Sequence, residues 1–189
     1  MKRRVAILAS GRGSNAHAMV QYFKEHESIE IAVIASNKKD AGVLDMASEE
    51  GIARFSFTRS EMLEGILGEK LAAAQIEFVL LCGFLFRVPV DLINQFEGRM
   101  LNIHPSLLPK FGGKGMYGMN VHRAVFEAQE EASGISIHKV TENYDEGAIV
   151  FQGEIIVKDA ESAEEIAARI LALEHKYYPA IAEAVIKEN

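Results

Sequence analysis

A doubly wound α/β fold on a single, mostly parallel sheet is what this chain predicts, and three observations carry that expectation. Short β-branched runs alternate with segments of helical periodicity, the order of a parallel sheet wrapped by helices. No linker or internal repeat divides the sequence. Its 189 residues suffice for one substantial core and are short for two.

Taken in order, residues 4–9 form the first strand, a helix covers about 15–24, and 30–35 form the second strand. A helix over 42–50 and a short extended piece near 53–57 follow. Thr58 and Glu61 stand at capping-box spacing, where each side chain can bond the other's backbone N–H, and open a helix to about Ala74. Residues 78–82 form the central strand; Pro89, whose missing N–H is harmless in a first turn, opens a helix to Phe96. Another strand covers 100–104. From 105 to 118, two prolines and four glycines remove all periodicity, which predicts a long loop. A helix over 120–129 and strands over 134–141 and 148–157 come next, the strands joined by a turn at 142–147. The last helix opens at a Ser162 and Glu165 capping box and buries Ile166, Ile170, Leu173, Tyr177, Ile181 and Val185 at helical spacing. The strand order is expected to become mixed toward the C-terminus.

Composition narrows the function. Hydrophobic residues at 49% and charged residues at 25% exclude disorder as the main state. The net charge is -7 and cationic residues are scattered, so no phosphate-backbone groove is expected and nucleic-acid binding is disfavoured. Cys82 is the single cysteine, which rules out an intrachain disulfide; it reads as a small core hydrophobe within a buried strand. The six histidines show no ligand spacing with carboxylates, so no metal site is expected. The apolar run after the basic start is too short for a signal segment, and no stretch approaches the roughly 20 apolar residues of a spanning helix. A reducing cytoplasm is the expected location.

Two segments carry candidate chemistry. Gly11-Arg12-Gly13-Ser14-Asn15 follows the first strand and opens the first helix, where free amides and the helix dipole attract an anion. A plain strand-helix turn with Ser14 as N-cap explains it equally well. Ala16 breaks the Gly-x-Gly-x-x-Gly spacing and no Walker lysine follows, so neither a dinucleotide nor an ATP site is supported. The second segment is Asn102-Ile103-His104-Pro105-Ser106-Leu107-Leu108-Pro109. On an extended strand Asn102 and His104 share one face while Leu101 and Ile103 enter the core. An amide donor thereby stands beside a titratable base. Asp145, in a Tyr-Asp-Glu-Gly turn relieved by Gly147, supplies a carboxylate. Each of the three has a structural alternative: strand-end amide, loop cap and turn former.

The Asn-x-His-Pro-Ser-Leu-Leu-Pro string, with the later aspartate turn, resembles the phosphoribosylglycinamide formyltransferases, and the resemblance runs over almost the whole chain. It implies a Rossmann-like formyltransferase fold, with one domain over 1–189. The part over about 1–100 would bind the nucleotide phosphate, and about 100–189 would carry the catalytic and folate sites. The implied reaction moves the formyl group of 10-formyltetrahydrofolate to the amine of glycinamide ribonucleotide in purine synthesis, with no metal. Asn102, His104 and Asp145 would be catalytic. Gly13, Ser14, Asn15 and Glu174 would hold the phosphate and ribose, with Glu174 on a less apolar helical face than Leu173. Phe86, Arg87, Val88, Asn102 and Tyr144 would hold the folate, the safer contacts being the backbone of Arg87 and Val88. Ser136 and His138 would line the same cavity in support. Phe86 stands where many relatives carry arginine, and Leu171 where some carry a polar phosphate contact. Lys110 and Lys114, in a loop longer than some family versions, could draw in anions, and His122 in a His-Arg pair ranks below the trio.

The alternatives are hydrolysis of formyltetrahydrofolate, whose relatives usually add an N-terminal regulatory domain, and a catalytically silent nucleotide-binding module. Methionyl-tRNA formyltransferases are similar in the core but add a basic C-terminal domain. Small-molecule substrates, no nucleic acid, no membrane, and a monomer or homodimer are the expected associations.

Overall fold

The computed structural model describes residues 2–188. Its seven-stranded sheet has the order β3-β2-β1-β4-β5-β6-β7. The strands are β1 (Arg3–Ala9), β2 (Ile29–Ser36), β3 (Ala53–Ser56), β4 (Phe78–Leu81), β5 (Met100–His104), β6 (Ala132–Lys139) and β7 (Ile149–Ile156). The first five pair in parallel, whereas β5 with β6 and β6 with β7 pair antiparallel. The mixed order expected at the C-terminal side is therefore present. Helices α1 (Ser14–Phe23), α2 (Gly42–Glu49), α3 (Arg59–Leu63), α4 (Ile66–Ala73), α5 (Val90–Gln95), α6 (Met119–Glu127) and α7 (Ala163–Glu188) cover the faces.

Alternation along β1 builds two cores. Val5, Ile7 and Ala9 enter one with α1, α2, α6 and α7; Ala6 and Leu8 enter the other with α3, α4 and α5. That second face runs out of helices over β5 and β6. The loop at 105–118 and the turn at 140–145 stand there instead, which is why polar side chains can collect on it.

Three local expectations are corrected. The helix opened by the complete Thr58–Glu61 capping box is two helices, because Gly65 takes φ 85 and breaks the ladder between α3 and α4. Helix α1 is capped by Gly13 at φ 79, not by Ser14, which is already helical. On α7, Ser162 Oγ accepts the Glu165 N–H, but the Glu165 carboxylate bonds the Glu161 N–H, so only half of the expected box forms.

Tyr178 ties the last helix to the sheet. Its fully buried hydroxyl reaches the Leu81 carbonyl at 3.2 Å and the Leu101 carbonyl at 3.1 Å, joining α7 to β4 and β5. Tyr178→Phe removes the donor and leaves both acceptors in place, so a loss of about 1–2 kcal/mol is expected in urea unfolding. An unchanged midpoint would show that these carbonyls are satisfied without it.

Candidate functional site

The chain reverses its direction of travel across the sheet between β1 and β4, since β1 leads outward to β2 and β3 while β4 leads to β5. In open α/β sheets ligands bind at such a switch point, beyond the carboxyl ends of the strands. A cavity of about 510 Å³ lies there. Residues 83–88, 102–105, 113–118 and 140–145 line it, together with Asn15, His122 and Glu174. Ser10 braces the switch: its N–H donates to the Gly83 carbonyl at 3.1 Å, and its Oγ accepts the Leu85 N–H at 2.9 Å.

Asn102, His104 and Asp145 converge on this cavity. Asn102 and His138 are direct cross-strand partners on β5 and β6, and Asn102 Nδ2 lies 3.1 Å from His138 Nε2. His138 Nδ1 donates to the Lys139 carbonyl at 3.0 Å. His104 Nε2 donates to the Phe111 carbonyl at 2.8 Å, which turns Nδ1 toward Asp145 Oδ2 at 3.5 Å. The other carboxylate oxygen, Oδ1, is 3.5 Å from His138 Nε2. These separations are at the outer limit of direct hydrogen bonds. A firmer contact comes from the Gly113 N–H, which donates to Asp145 Oδ2 at 2.9 Å.

The backbone fixes this carboxylate. Asp145 sits at φ 56, a left-handed conformation that aspartate tolerates better than most residues. Gly147 is required nearby, since a Cβ there would stand 1.7 Å from the Lys139 carbonyl oxygen.

Electrostatics favour a neutral imidazole beside a charged carboxylate. Burial pushes the His104 pKa below its usual 6.5, against the opposing pull of Asp145 and the Phe111 carbonyl. Burial raises Asp145, but the His138 hydrogen bond, neighbouring His104 and the Gly113 amide outweigh it and hold the carboxyl below 3.8.

Elsewhere on the cavity wall, Asn15 Nδ2 donates to Glu174 Oε2 at 2.8 Å across 159 positions. Asn15 Oδ1 is buried with no partner among the described residues. Glu174 is 8% exposed, and burial raises its pKa to about 7 despite the Asn15 bond. Its face corrects the sequence reading: Ile170, Glu174, Tyr178 and Ala182 are buried, whereas Leu173 and Tyr177 are only partly covered. Gly13 and Ser14 do not line the cavity. Gly13 serves the loop, where a Cβ would come within 2.4 Å of Val43 Cγ2.

Phe86, Arg87, Val88 and Tyr144 all line the cavity. Arg87 is committed elsewhere, donating through Nε and Nη2 to the Glu142 carbonyl at 3.0 and 2.7 Å. It thereby ties two walls together. Ser136 departs from its expected position: fully buried and outside the cavity, it accepts the Leu108 N–H at 3.0 Å and donates to the Ser106 carbonyl at 2.7 Å. It secures the 105–109 segment that follows His104. Sequence reasoning also missed the Phe111 carbonyl and the Gly113 amide, backbone groups that leave no signal in residue type. Among the described residues, no group of three or more His, Cys, Asp or Glu is placed to hold a metal ion, and no helix is long and apolar enough to cross a membrane.

The fold and the cavity define a doubly wound α/β protein with an amide, two imidazoles and a carboxylate gathered at the strand switch point. The chain belongs to the formyl transferase family: the family model described as Formyl transferase matches residues 3–182. It is 39% identical over 194 residues to the chloroplastic phosphoribosylglycinamide formyltransferase of Vigna unguiculata, covering 100% of this chain but 62% of that protein. With the phosphoribosylglycinamide formyltransferase of Bacillus subtilis it shares 32% identity, over 99% of this chain and 96% of the relative. The crystal structure of phosphoribosylglycinamide formyltransferase from Anaplasma phagocytophilum superposes with a TM-score of 0.90 at 31% identity, over 100% of this chain and 89% of that one.

Proposed function

We propose that this protein transfers the formyl group of 10-formyltetrahydrofolate to the primary amine of 5-phosphoribosylglycinamide, giving formylglycinamide ribonucleotide and tetrahydrofolate in purine synthesis. The observation that carries the reading is the convergence of Asn102, His104 and Asp145 on one cavity that also holds the Asn15–Glu174 pair. Family membership and the named relatives support the same reaction.

In this reading the lone pair of the neutral amine attacks the formyl carbon, and the carbonyl π electrons move onto oxygen. Asn102 Nδ2 turns from His138 to donate to that oxyanion, an interaction worth about 3 kcal/mol when the donor is preorganised. The new C–N bond leaves the attacking nitrogen with a surplus proton. The Asp145 carboxylate and His104 Nδ1, 3.5 Å apart, accept it and return it to the folate N10 as the C–N10 bond breaks. One proton leaves the amine and one arrives at N10, so the pair ends as it began. His138, locked through Nδ1 to the Lys139 carbonyl, orients Asn102 and steadies Asp145.

Glu174 and Asn15 would hold the ribose, and the N-terminus of α1 at Gly13 and Ser14 would receive the phosphate through free amides. The backbone of Arg87 and Val88, with Phe86 and Tyr144, would bound the folate ring. Incubating the protein with 10-formyltetrahydrofolate, with and without glycinamide ribonucleotide, tests the reading spectroscopically. Loss of the formyl group only with the amine is expected. Loss without it would replace transfer by hydrolysis, and no loss in either arm would leave a binding module.

A further inference from the structure

His122 is a buried ionisable group on the cavity wall that this mechanism leaves unused. It lies in the first turns of α6, 7% exposed, and lines the same cavity as His104 and Glu174. Neither ring nitrogen has a hydrogen-bond partner among the described residues, and Nδ1 is sealed from solvent. A buried imidazole normally satisfies at least one nitrogen within the protein, because an unpaired polar atom costs on the order of 1–3 kcal/mol. Leaving both unpaired beside a cavity is the arrangement of a group whose partner arrives with the ligand.

Tautomer and position restrict that partner. A neutral imidazole carries one N–H; sealing it at Nδ1 would strand a donor, so the favoured tautomer buries the Nδ1 lone pair and keeps Nε2–H available. The ring stays neutral at physiological pH, since burial and the nearby His104 push its pKa to about 4. A neutral donor suits an uncharged oxygen better than a phosphate. Helix α6 packs against α7, which carries Glu174, and both His122 and Glu174 line the cavity, so the formyl-transfer reading assigns His122 to the nucleotide together with Glu174. His104 acts on it electrostatically, so it stands near the imidazole of the reacting centre.

Resting on the formyl-transfer reading above, we infer that His122 donates through Nε2–H to the amide carbonyl oxygen joining the sugar to the attacking amine of the ribonucleotide. It is thus a specificity-determining contact that selects a glycinamide over an amine lacking that carbonyl. His122 also holds the amine at the distance from the formyl carbon that the amide spacer sets.

The test is a steady-state comparison of His122→Phe and His122→Gln with the wild type, following both substrates separately. His122→Phe fills the volume without a donor and is expected to raise KM for glycinamide ribonucleotide about tenfold or more, the loss of one buried neutral hydrogen bond. KM for 10-formyltetrahydrofolate should stay within about threefold, as uniform binding to the other substrate is untouched. His122→Gln, whose Nε2 reaches near the position of the lost N–H, should recover most of the affinity. A structural role would move both KM values together and would not respond to the amide. An unchanged KM for the ribonucleotide in His122→Phe, or no rescue by glutamine, overturns the inference. A wild-type protein without formyl transfer overturns the underlying reading instead, so the two failures are distinct.

Discussion

Asp145→Asn is expected to lower kcat by about three orders of magnitude, within the range for removing a positioned acid-base group, and to leave both KM values nearly unchanged. Asparagine keeps the shape and can still accept the Gly113 N–H, so the turn at φ 56 survives. What disappears is the charge that, in the proposed mechanism, takes up the proton from the amine. The carboxylate also raises the His104 pKa, so its removal drives that pKa still further below 6.5. For the wild type the proposed mechanism fixes the sign: it needs neutral His104 beside charged Asp145, so activity is expected to fall as pH drops through a His104 value below 6.5. His104→Ala should produce a kcat loss of similar size by removing the other half of the relay. Steady-state kinetics across pH 5–8 decide the matter. Turnover close to wild type in Asp145→Asn would take this residue out of the mechanism.

Glu174→Gln should make the free protein more stable and the enzyme worse. The carboxyl ionises near 4.5 when unfolded but at about 7 when folded, mainly because it is buried. Between those values the folded state binds the proton that the unfolded chain releases, so stability falls as pH rises through the window and stays low above it. A separation of this size corresponds to about 3 kcal/mol at pH 8. Glutamine carries no charge to desolvate, still accepts from Asn15 Nδ2, and offers an N–H toward the unpartnered Asn15 Oδ1. A rise in Tm of roughly 5–10 °C at pH 8 is expected, with most of it gone at pH 5. KM for the ribonucleotide should rise at least about tenfold with the loss of a charge-assisted hydrogen bond. Thermal unfolding of both proteins at the two pH values checks this; an equal gain at both would mean that ionisation is not the cause.

The two positions show how far the sequence could be read. Asn102 and His104 were legible because strand periodicity alone places them on one face, and Leu101 and Ile103 do enter the core as that period requires. Glu174 does line the cavity, but the helix face that carries it was read as the less buried one. The pattern Leu173, Tyr177, Ile181 looks like a core stripe, yet the helix buries the row one residue later because the sheet needs the Tyr178 hydroxyl and the cavity contains the carboxylate. Hydrophobicity could not announce a polar residue at a core position. Ser136 failed for another reason: parity along β6 puts it beside His138, but it lies opposite His104 and under the loop, where Leu108 and Ser106 claim it. The turn at 11–15 was half legible, since glycine spacing gives the turn and not which side chains face the cavity.

The bond between Asn15 and Glu174 also bears on synthesis. Its partners are separated by 159 positions, one at the start of the first helix and one well along the last. A nascent chain therefore exposes the turn at Asn15 long before the acidic partner has left the ribosome. Strands and early helices can assemble as they emerge, but this contact between the first and last helices cannot form until residue 174 has emerged as well.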